Sequence, residues 1–256
     1  VEIAVLLKQV PATESVLEID DGGTAIKTDG LNWVMNPYDE MAVEEALQIR
    51  DNEGGTVSVF SLGPEKAVEA LRTALAMGAD TAVRIDPQGS LLDGLGTAKV
   101  LAGELKKGAF DLIITGHRAV DDDNFQVGPA VAEYLGIPHI SMVIRQEIAD
   151  GNIRCTRTIE GGTLVLETAL PALITTQRGL NEPRYASLPG IMKAKKKPID
   201  TRPLSETGTD PGAALVTPLG MRLPPERKGG RIIEGDSAAG KAAALVKVLR
   251  EEAKVI

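Results

Sequence analysis

The sequence predicts an α/β fold, a Rossmann-like parallel sheet with helices on both faces, plus an extended C-terminal arm and helix. Three observations carry that expectation. Short continuous apolar runs, Ile3-Ala-Val-Leu-Leu7 and Phe110-Asp-Leu-Ile-Ile-Thr115 among them, suit strands buried on both faces. Segments of helical periodicity alternate with these runs, which implies parallel strands joined by crossover helices. Gly or Pro marks most junctions, at Gly54-Gly55, Gly63-Pro64, Gly78 and Gly116.

The elements follow in order. After the first strand, Val16-Leu-Glu-Ile19 and Thr24-Ala-Ile-Lys27 flank Asp20-Asp-Gly-Gly23, a hairpin signal. Asn36 is placed to cap a helix that has Pro37 at its first position and Asp39 and Glu40 against its positive end; Met41, Ala42, Glu45, Ala46 and Ile49 continue it. Residues 56–61 form a second strand, and a helix after Gly63-Pro64 carries Ala67, Val68, Leu71, Leu75 and Ala76. Residues 81–85 give a third strand, 91–107 a helix, 110–115 a fourth strand, and about 126–135 a further helix. Beyond Pro138, strand patterns at 139–148, 152–160, 163–168 and 170–175 extend the sheet or add an antiparallel layer at its edge. Pro183, Pro189 and Pro198 prevent residues 181–198 from being one continuous helix or a central strand. Residues 198–230 read as an arm rich in Pro, Gly, Thr and Asp. A last amphipathic helix has Ala238, Ala242, Leu245, Val246 and Leu249 on one face.

Composition narrows the function classes. The 256 residues are 43% hydrophobic and 25% charged, enough for one domain with appendages. A net charge of −8 argues against nucleic acid, so Lys193, Lys195, Lys196 and Lys197 are a local exception suited to an acidic protein surface. The single cysteine, Cys155, allows no internal disulfide. The opening residues read as a strand rather than a secretory leader, and no apolar run reaches spanning length; a cytoplasmic (bacterial) or mitochondrial-matrix-like location without direct membrane insertion is expected. Aromatic residues are only 3%, so a bound nucleotide is expected to be held by backbone and small side chains.

Ligands of an open parallel sheet bind at the carboxyl ends of strands where the winding reverses. Four loops converge there: Leu6 to Pro11, Asn36 to Asp39, Ser61 to Pro64, and Gly116 to Gly128. Asp121, Asp122 and Asp123 either cap a turn or hold a ribose hydroxyl, and Gln126, Val127 and Gly128 let backbone amides approach a pyrophosphate. His117 is either a plain loop residue or part of that site. His139 reads as a strand-entry residue, and no nucleophile–base arrangement accompanies either histidine. Gly235-Asp-Ser-Ala-Ala-Gly-Lys241 nearly matches a phosphate-binding loop, yet Ala242 replaces the required hydroxyl and no strand follows; Asp236 or Ser237 as a helix cap explains it better. Leu188, Ile191 and Met192 beside the lysines form an apolar tip that either folds back on the core or contacts a partner.

Lys8-Gln-Val-Pro11, the run Met35-Asn-Pro-Tyr-Asp-Glu-Met-Ala-Val-Glu-Glu-Ala-Leu47, Leu71 to Asp80, Asp121-Asp-Asp123, and Leu180 to Lys197 resemble, in that order, motifs of the β subunit of electron transfer flavoprotein. The resemblance implies an electron carrier rather than an enzyme. Its partners would be an α subunit holding the redox-active FAD, acyl-CoA or related dehydrogenases as donors in fatty acid oxidation, and a membrane quinone oxidoreductase as acceptor. The β subunit would hold AMP, contacted by Leu6, Asn36, Pro37, Tyr38, Asp39, Leu62, Gly63, and Asp121, Asp122, Asp123, Asn124, Phe125, Gln126, Val127, Gly128, Pro129, Ala130, Val131 and Ala132. Tyr185, Leu188, Ile191, Met192 and Lys193 would meet the dehydrogenase, with Leu188 as anchor. Residues 1–197 would then be the nucleotide-binding domain with a recognition loop at about 183–197, and residues 198–256 an arm and helix packed on the α subunit.

An alternative keeps the family but places a second FAD in this site, with NADH as donor and electron bifurcation. Gln126-Val-Gly-Pro129 and Pro11 resemble bifurcating members, whereas Asp122 and the recognition segment resemble AMP-type members. Thr13 stands near where some members place a tyrosine against the α-subunit flavin. A further alternative, an ATP-binding stress-type protein on a similar sheet, lacks a magnesium site here.

Overall fold

The apolar runs pair as the central strands of a 9-stranded sheet among the described residues. The structure, a computed structural model, describes residues 1–225 and 229–256; the portion of the expected arm at 226–228 lies outside the described residues. In chain order the elements are β1 (Glu2–Leu6), β2 (Gln9–Pro11), β3 (Trp33–Met35), α1 (Pro37–Glu53), β4 (Thr56–Leu62), α2 (Val68–Met77), β5 (Thr81–Asp86), α3 (Gly94–Leu105), β6 (Leu112–Gly116) and α4 (Val127–Leu135). They continue with β7 (His139–Ala149), β8 (Asn152–Ile159), β9 (Gly162–Ala169), β10 (Ala172–Thr176), α5 (Leu188–Lys196), β11 (Asp200–Pro203) and α6 (Ala238–Val248).

The strand order is β11-β5-β4-β1-β6-β10-β7-β8-β9, parallel from β11 to β7 and antiparallel through β8 and β9. The chain winds outward from β1 through β4 and β5, then returns to β6 on the other side of β1. That reversal opens a crevice between β1 and β6 at their carboxyl ends. Alternate residues of each strand feed two separate cores. Ile3, Val5, Leu112 and Ile114 pack with α1 and α2, whereas Ala4, Leu6 and Ile113 pack with α3 and α4. Helices on both faces explain why these strands are continuously apolar.

Several local expectations are corrected. Of the hairpin expected at residues 16–27 only the turn forms: the Asp20 amide donates to the Ala25 carbonyl at 2.9 Å, but no strand extends on either side, and the Asp20 carboxylate, accepting from the Thr24 and Ala25 amides, competes with a ladder. Two short strands at Gln9–Pro11 and Trp33–Met35, not anticipated, pair antiparallel instead. A 3₁₀ turn at Glu65–Ala67 precedes α2, and α3 begins only at Gly94, where Asp93 accepts from the Gly96 amide. Residues 188–196, expected within a loop, form α5: Ser187 caps it and Pro189 sits in its first turn, where a missing N–H costs nothing. Residues 200–206, expected as arm, form edge strand β11 beside β5 and a 3₁₀ turn.

The chain divides into two compact units. The first comprises Val1–Leu17 and Ile26–Leu219, and the second Glu18–Ala25 and Gly220–Ile256. Within the second, Ser237 accepts from the Gly240 amide at the start of α6, as expected of a cap, and the helix widens into a π turn at Leu249–Ala253. Arg231 pairs with Glu252 at 2.8 Å. No helix among the described residues is long and apolar enough to cross a membrane.

The edge strand is held by charge as well as by its ladder. Glu104 of α3, whose side chain is 1% exposed, pairs with Arg202 of β11 and with Lys107 at 2.8 Å. Arg202→Leu therefore leaves this buried carboxylate with one cation fewer and is expected to cost about 1.5–3 kcal/mol, measured as a lower urea midpoint with an unchanged slope.

Candidate functional site

Asp39 organises the crevice. It lies in the first turn of α1, 4% exposed, and its two carboxylate oxygens accept from the Lys8 amide and the Gly116 amide, both at 2.8 Å. One side chain thus bridges the ends of β1 and β6. Burial pushes its carboxyl up to about 7, while the two amides, Asn36 and the Lys8 ammonium pull the other way. Gly116 is required beside it, because a Cβ there would lie 2.5 Å from the Asp39 carboxylate and 2.7 Å from the Tyr38 Cβ.

Asn36 stands at the N-cap of α1 without capping it. Its side chain instead reaches across the crevice, donating to the Arg118 carbonyl at 2.9 Å and accepting from the Val120 amide at 3.2 Å. Asn36 therefore fixes the loop after β6. The aspartates of that loop do not cap α4 either. Lys8 pairs with Asp121 at 2.8 Å and Asp122 at 3.2 Å, and Arg118 pairs with Asp123. Arg118 also donates to the Tyr38 hydroxyl at 3.0 Å and lies 5.2 Å and 5.4 Å from the ring centres of Tyr38 and Phe125. Asp123 and Phe125 both adopt left-handed backbone, φ 53° and 58°, so the loop is strained where it meets the crevice.

His117 packs edge-on against Tyr38 at 4.1 Å and donates from Nδ1 to the Thr176 carbonyl at 2.8 Å. Burial first, then the nearby Arg118 charge, hold its pKa below the usual value. It is the neutral Nδ1–H tautomer, with Nε2 left as an acceptor. Arg84, buried under the β4–α2 turn, donates to the Gly63 carbonyl at 3.0 Å and so fixes the turn after Leu62.

A cavity of about 230 Å³ lies among these groups. Of the residues expected from sequence, Leu6, Asn36, Asp39, Leu62, Asp122, Asn124, Phe125, Gln126, Val127 and Gly128 line it. Pro37, Tyr38, Gly63, Asp121, Asp123, Pro129, Ala130, Val131 and Ala132 are not in its wall. Val131 and Ala132 are fully buried in the core, facing the sheet on the inner side of α4, and Tyr38, Asp121 and Asp123 act through Arg118 and Lys8. Sequence reading missed the start of α3, where Leu92, Asp93, Gly94, Thr97 and Leu101 form one wall. Asp93 before a glycine-rich helix start was the available signal.

The chemistry on offer is recognition. α4 starts without a side-chain cap, so its first amides are available to an anion. Gly128 brings that helix end down onto the sheet, since a Cβ there would lie 2.9 Å and 3.0 Å from the methyls of Thr115 and Thr175. Among the described residues, no group of three His, Cys, Asp or Glu is placed to hold a metal ion. Cys155 is buried on β8, and burial, with Glu45 nearby, pushes its thiol up to about 12, leaving it unreactive.

The expected partner residues lie together on another surface. Tyr185 and Leu188 are 99% and 80% exposed, and Met192 and Ile191 stand out beside them. Lys193, Lys195 and Lys196 are exposed, but Lys197 is not part of the rim; its ammonium donates to the Ala79 carbonyl at 2.7 Å.

The chain matches the electron transfer flavoprotein domain over residues 23–207. It is 43% identical to the electron transfer flavoprotein subunit beta of Bacillus subtilis, with 98% of each chain covered. The subunit of the same name from Syntrophomonas wolfei is 41% identical over 92% of this chain and 90% of its own. That from Bradyrhizobium diazoefficiens is 36% identical over the whole of both.

Two outcomes test this geometry. Gly128→Ala forces the stiff, buried threonine methyls or the start of α4 to move and should cost about 1–3 kcal/mol in urea unfolding. For Asp39, the folded chain holds the proton more tightly than the unfolded chain, where the carboxyl titrates at its ordinary 3.8. Its contribution to stability is complete below that value and is lost as pH rises through about 7. Asp39→Asn should lower stability overall, because an amide NH₂ now faces a backbone N–H. It should also flatten the decline in urea midpoint between about pH 4 and about pH 7.

Proposed function

Because the chain belongs to the electron transfer flavoprotein family, as a β subunit, we propose that it pairs with an α subunit that holds the redox-active FAD and holds AMP in its own crevice. In this reading electrons come from acyl-CoA or related dehydrogenases and leave to a membrane quinone oxidoreductase. The observation that carries the AMP assignment is the crevice itself. It lies at the sheet's switch point, beside the uncapped start of α4, and its volume of about 230 Å³ falls below the roughly 300–1,000 Å³ of typical small-molecule sites. A mononucleotide suits that volume better than a flavin dinucleotide.

The residues would divide the work as follows. The Val127 and Gly128 amides meet the phosphate, since Pro129 has no N–H and the Ala130 amide is already donated to the Gln126 carbonyl, and Asp122 and Asn124 offer partners to ribose hydroxyls. Leu6, Leu62 and Leu101 supply apolar walls to the base. AMP here is structural, and the α-subunit FAD supplies the one- and two-electron chemistry. This chain contributes the rigid sheet, the crevice and the docking surface. Leu188 at the tip, with Met192 beside it and Lys193, Lys195 and Lys196 around them, fits an apolar pocket with an acidic rim on the dehydrogenase. A small anchor inside a charged ring favours fast, transient association. The second unit, with α6, is assigned to the α subunit.

The bifurcating reading has one feature in its favour, the Gln126-Val-Gly-Pro129 start of α4. Extraction of the purified heterodimer separates the two. One FAD and one AMP per heterodimer is the expected result; two FAD would replace AMP with a second flavin, and bound ATP would overturn both. Leu188→Ala should leave the FAD and AMP content unchanged and slow flavin reduction by a reduced acyl-CoA dehydrogenase about tenfold. An unchanged rate would remove the anchor assignment.

A further inference from the structure

The docking helix α5 is not a free appendage. One of its faces, Gly190, Ala194 and Lys197, follows helical spacing and turns toward α2, and Ala194 is 1% exposed. Leu188, Met192 and Lys195 follow the same spacing on the opposite side. Gly190 lets the two helices touch, because a Cβ there would lie 2.5 Å from the Ala76 carbonyl oxygen of α2.

Two cations close the seam reciprocally. Arg72 of α2 donates from one guanidinium nitrogen to the Ala194 carbonyl and, at 2.6 Å, to the Lys197 carbonyl, at the end of α5. Lys197, just past α5, donates to the Ala79 and Asp80 carbonyls at 2.7 Å and 3.2 Å, beyond the end of α2. Arg72 thus satisfies the carbonyl end of α5, where the helix dipole is negative, and Lys197 ties that same end to the turn after α2. These contacts fix the rotation of α5 about its own axis, and that rotation decides whether Leu188 points outward.

We propose that Arg72 and Lys197 are positioning residues of the docking surface: they preorganise α5 so that Leu188 and Met192 are presented to the dehydrogenase before contact. This rests on the docking reading above and assigns to two residues that touch no partner the task of removing the ordering cost of association. It also separates Lys197 from the three lysines around it. Those steer, and Lys197 holds.

A double-mutant cycle on the holo-heterodimer tests it, with a reduced acyl-CoA dehydrogenase as probe and the second-order rate of flavin reduction as readout. Leu188→Ala is expected to slow the reaction about tenfold and Arg72→Ala by about threefold to tenfold, with FAD and AMP content unchanged in both. The double variant should be slowed by clearly less than the product of the two single effects, because with Leu188 absent only Met192 still has an orientation to lose. Arg72→Lys should recover most of the rate, since an ammonium still reaches the two carbonyls. Should Arg72→Ala fail to assemble, Gly190→Ala takes its place in the cycle, as it pushes α5 off the Ala76 carbonyl. Slowing that multiplies in the double variant, an unchanged rate for Arg72→Ala, or a parallel loss of flavin would overturn the positioning role and leave the anchor standing. A Leu188→Ala rate equal to wild type would instead overturn the docking reading, and the positioning role with it.

Discussion

The buried Asp39 carboxylate is the contact on which the remaining architecture depends. A parallel sheet that winds outward and returns must separate a pair of neighbouring strands at their carboxyl ends, where the amides after β1 and β6 lose their ladder partners. Those of Lys8 and Gly116 would be orphaned there. One carboxylate accepts both. The start of α1 is thereby placed over the gap, Tyr38 is set beside His117, and the crevice is held open rather than collapsed. An apolar side chain at this position would leave two buried donors unmatched, at a cost of about 1–3 kcal/mol each.

Charge around the crevice is arranged with similar economy. Its two cationic wall residues, Lys8 and Arg118, are already occupied by Asp121, Asp122 and Asp123. They act as struts of the loop, and Lys8 is held charged, its pKa raised by those aspartates against the effect of burial. In the proposed AMP reading, the anion therefore finds its complement in the backbone amides at the start of α4. Binding by amides needs no cation to be stripped of its partner. Each of the three aspartates is spoken for by a cation, Asp121 and Asp122 by Lys8 and Asp123 by Arg118.

The parallel sheet, its helices and the switch-point crevice are legible in the sequence because they are written in periodicity and in Gly/Pro punctuation, which act locally. What is not legible depends on long-range partners. The Asp20 turn signal suggests a hairpin because residue types announce a turn but not whether a ladder follows. Asn36 has the composition of an N-cap, yet its side chain is claimed by the Arg118 carbonyl, 82 residues away in sequence. The start of α3 enters the crevice only because α3 and α4 pack side by side, which no single segment reveals. Lys197 looks like a fourth member of a basic run, and only the turn after α2 beside it shows that it is a tether. Residues 200–203 have no strand periodicity of their own and become a strand because β5 presents an open edge.

α1 joins the two functional regions into one rigid piece. Its first turn carries Asp39 at the crevice, and further along Glu44 and Glu45 hold the segment that leads to α5. Arg184 donates to both oxygens of Glu44, at 2.8 Å and 3.1 Å, and Asn181 donates to Glu45 at 2.7 Å and to the Met41 carbonyl at 3.1 Å. Burial disfavours the Glu44 charge, but Arg184 and Gln48 outweigh it and hold its pKa below the ordinary value, so the pair stays ionised. The docking segment is therefore tied to α1 before α5 and to α2 after it. Under the proposed docking role, an electron carrier gains from this arrangement, because its partner must be released after every transfer. Orientation built into the fold speeds encounter without deepening the bound state, whereas a loop that ordered itself on contact would need a larger interface to offset its lost entropy. A short apolar tip on a helix clamped at both ends meets that requirement with few contacts.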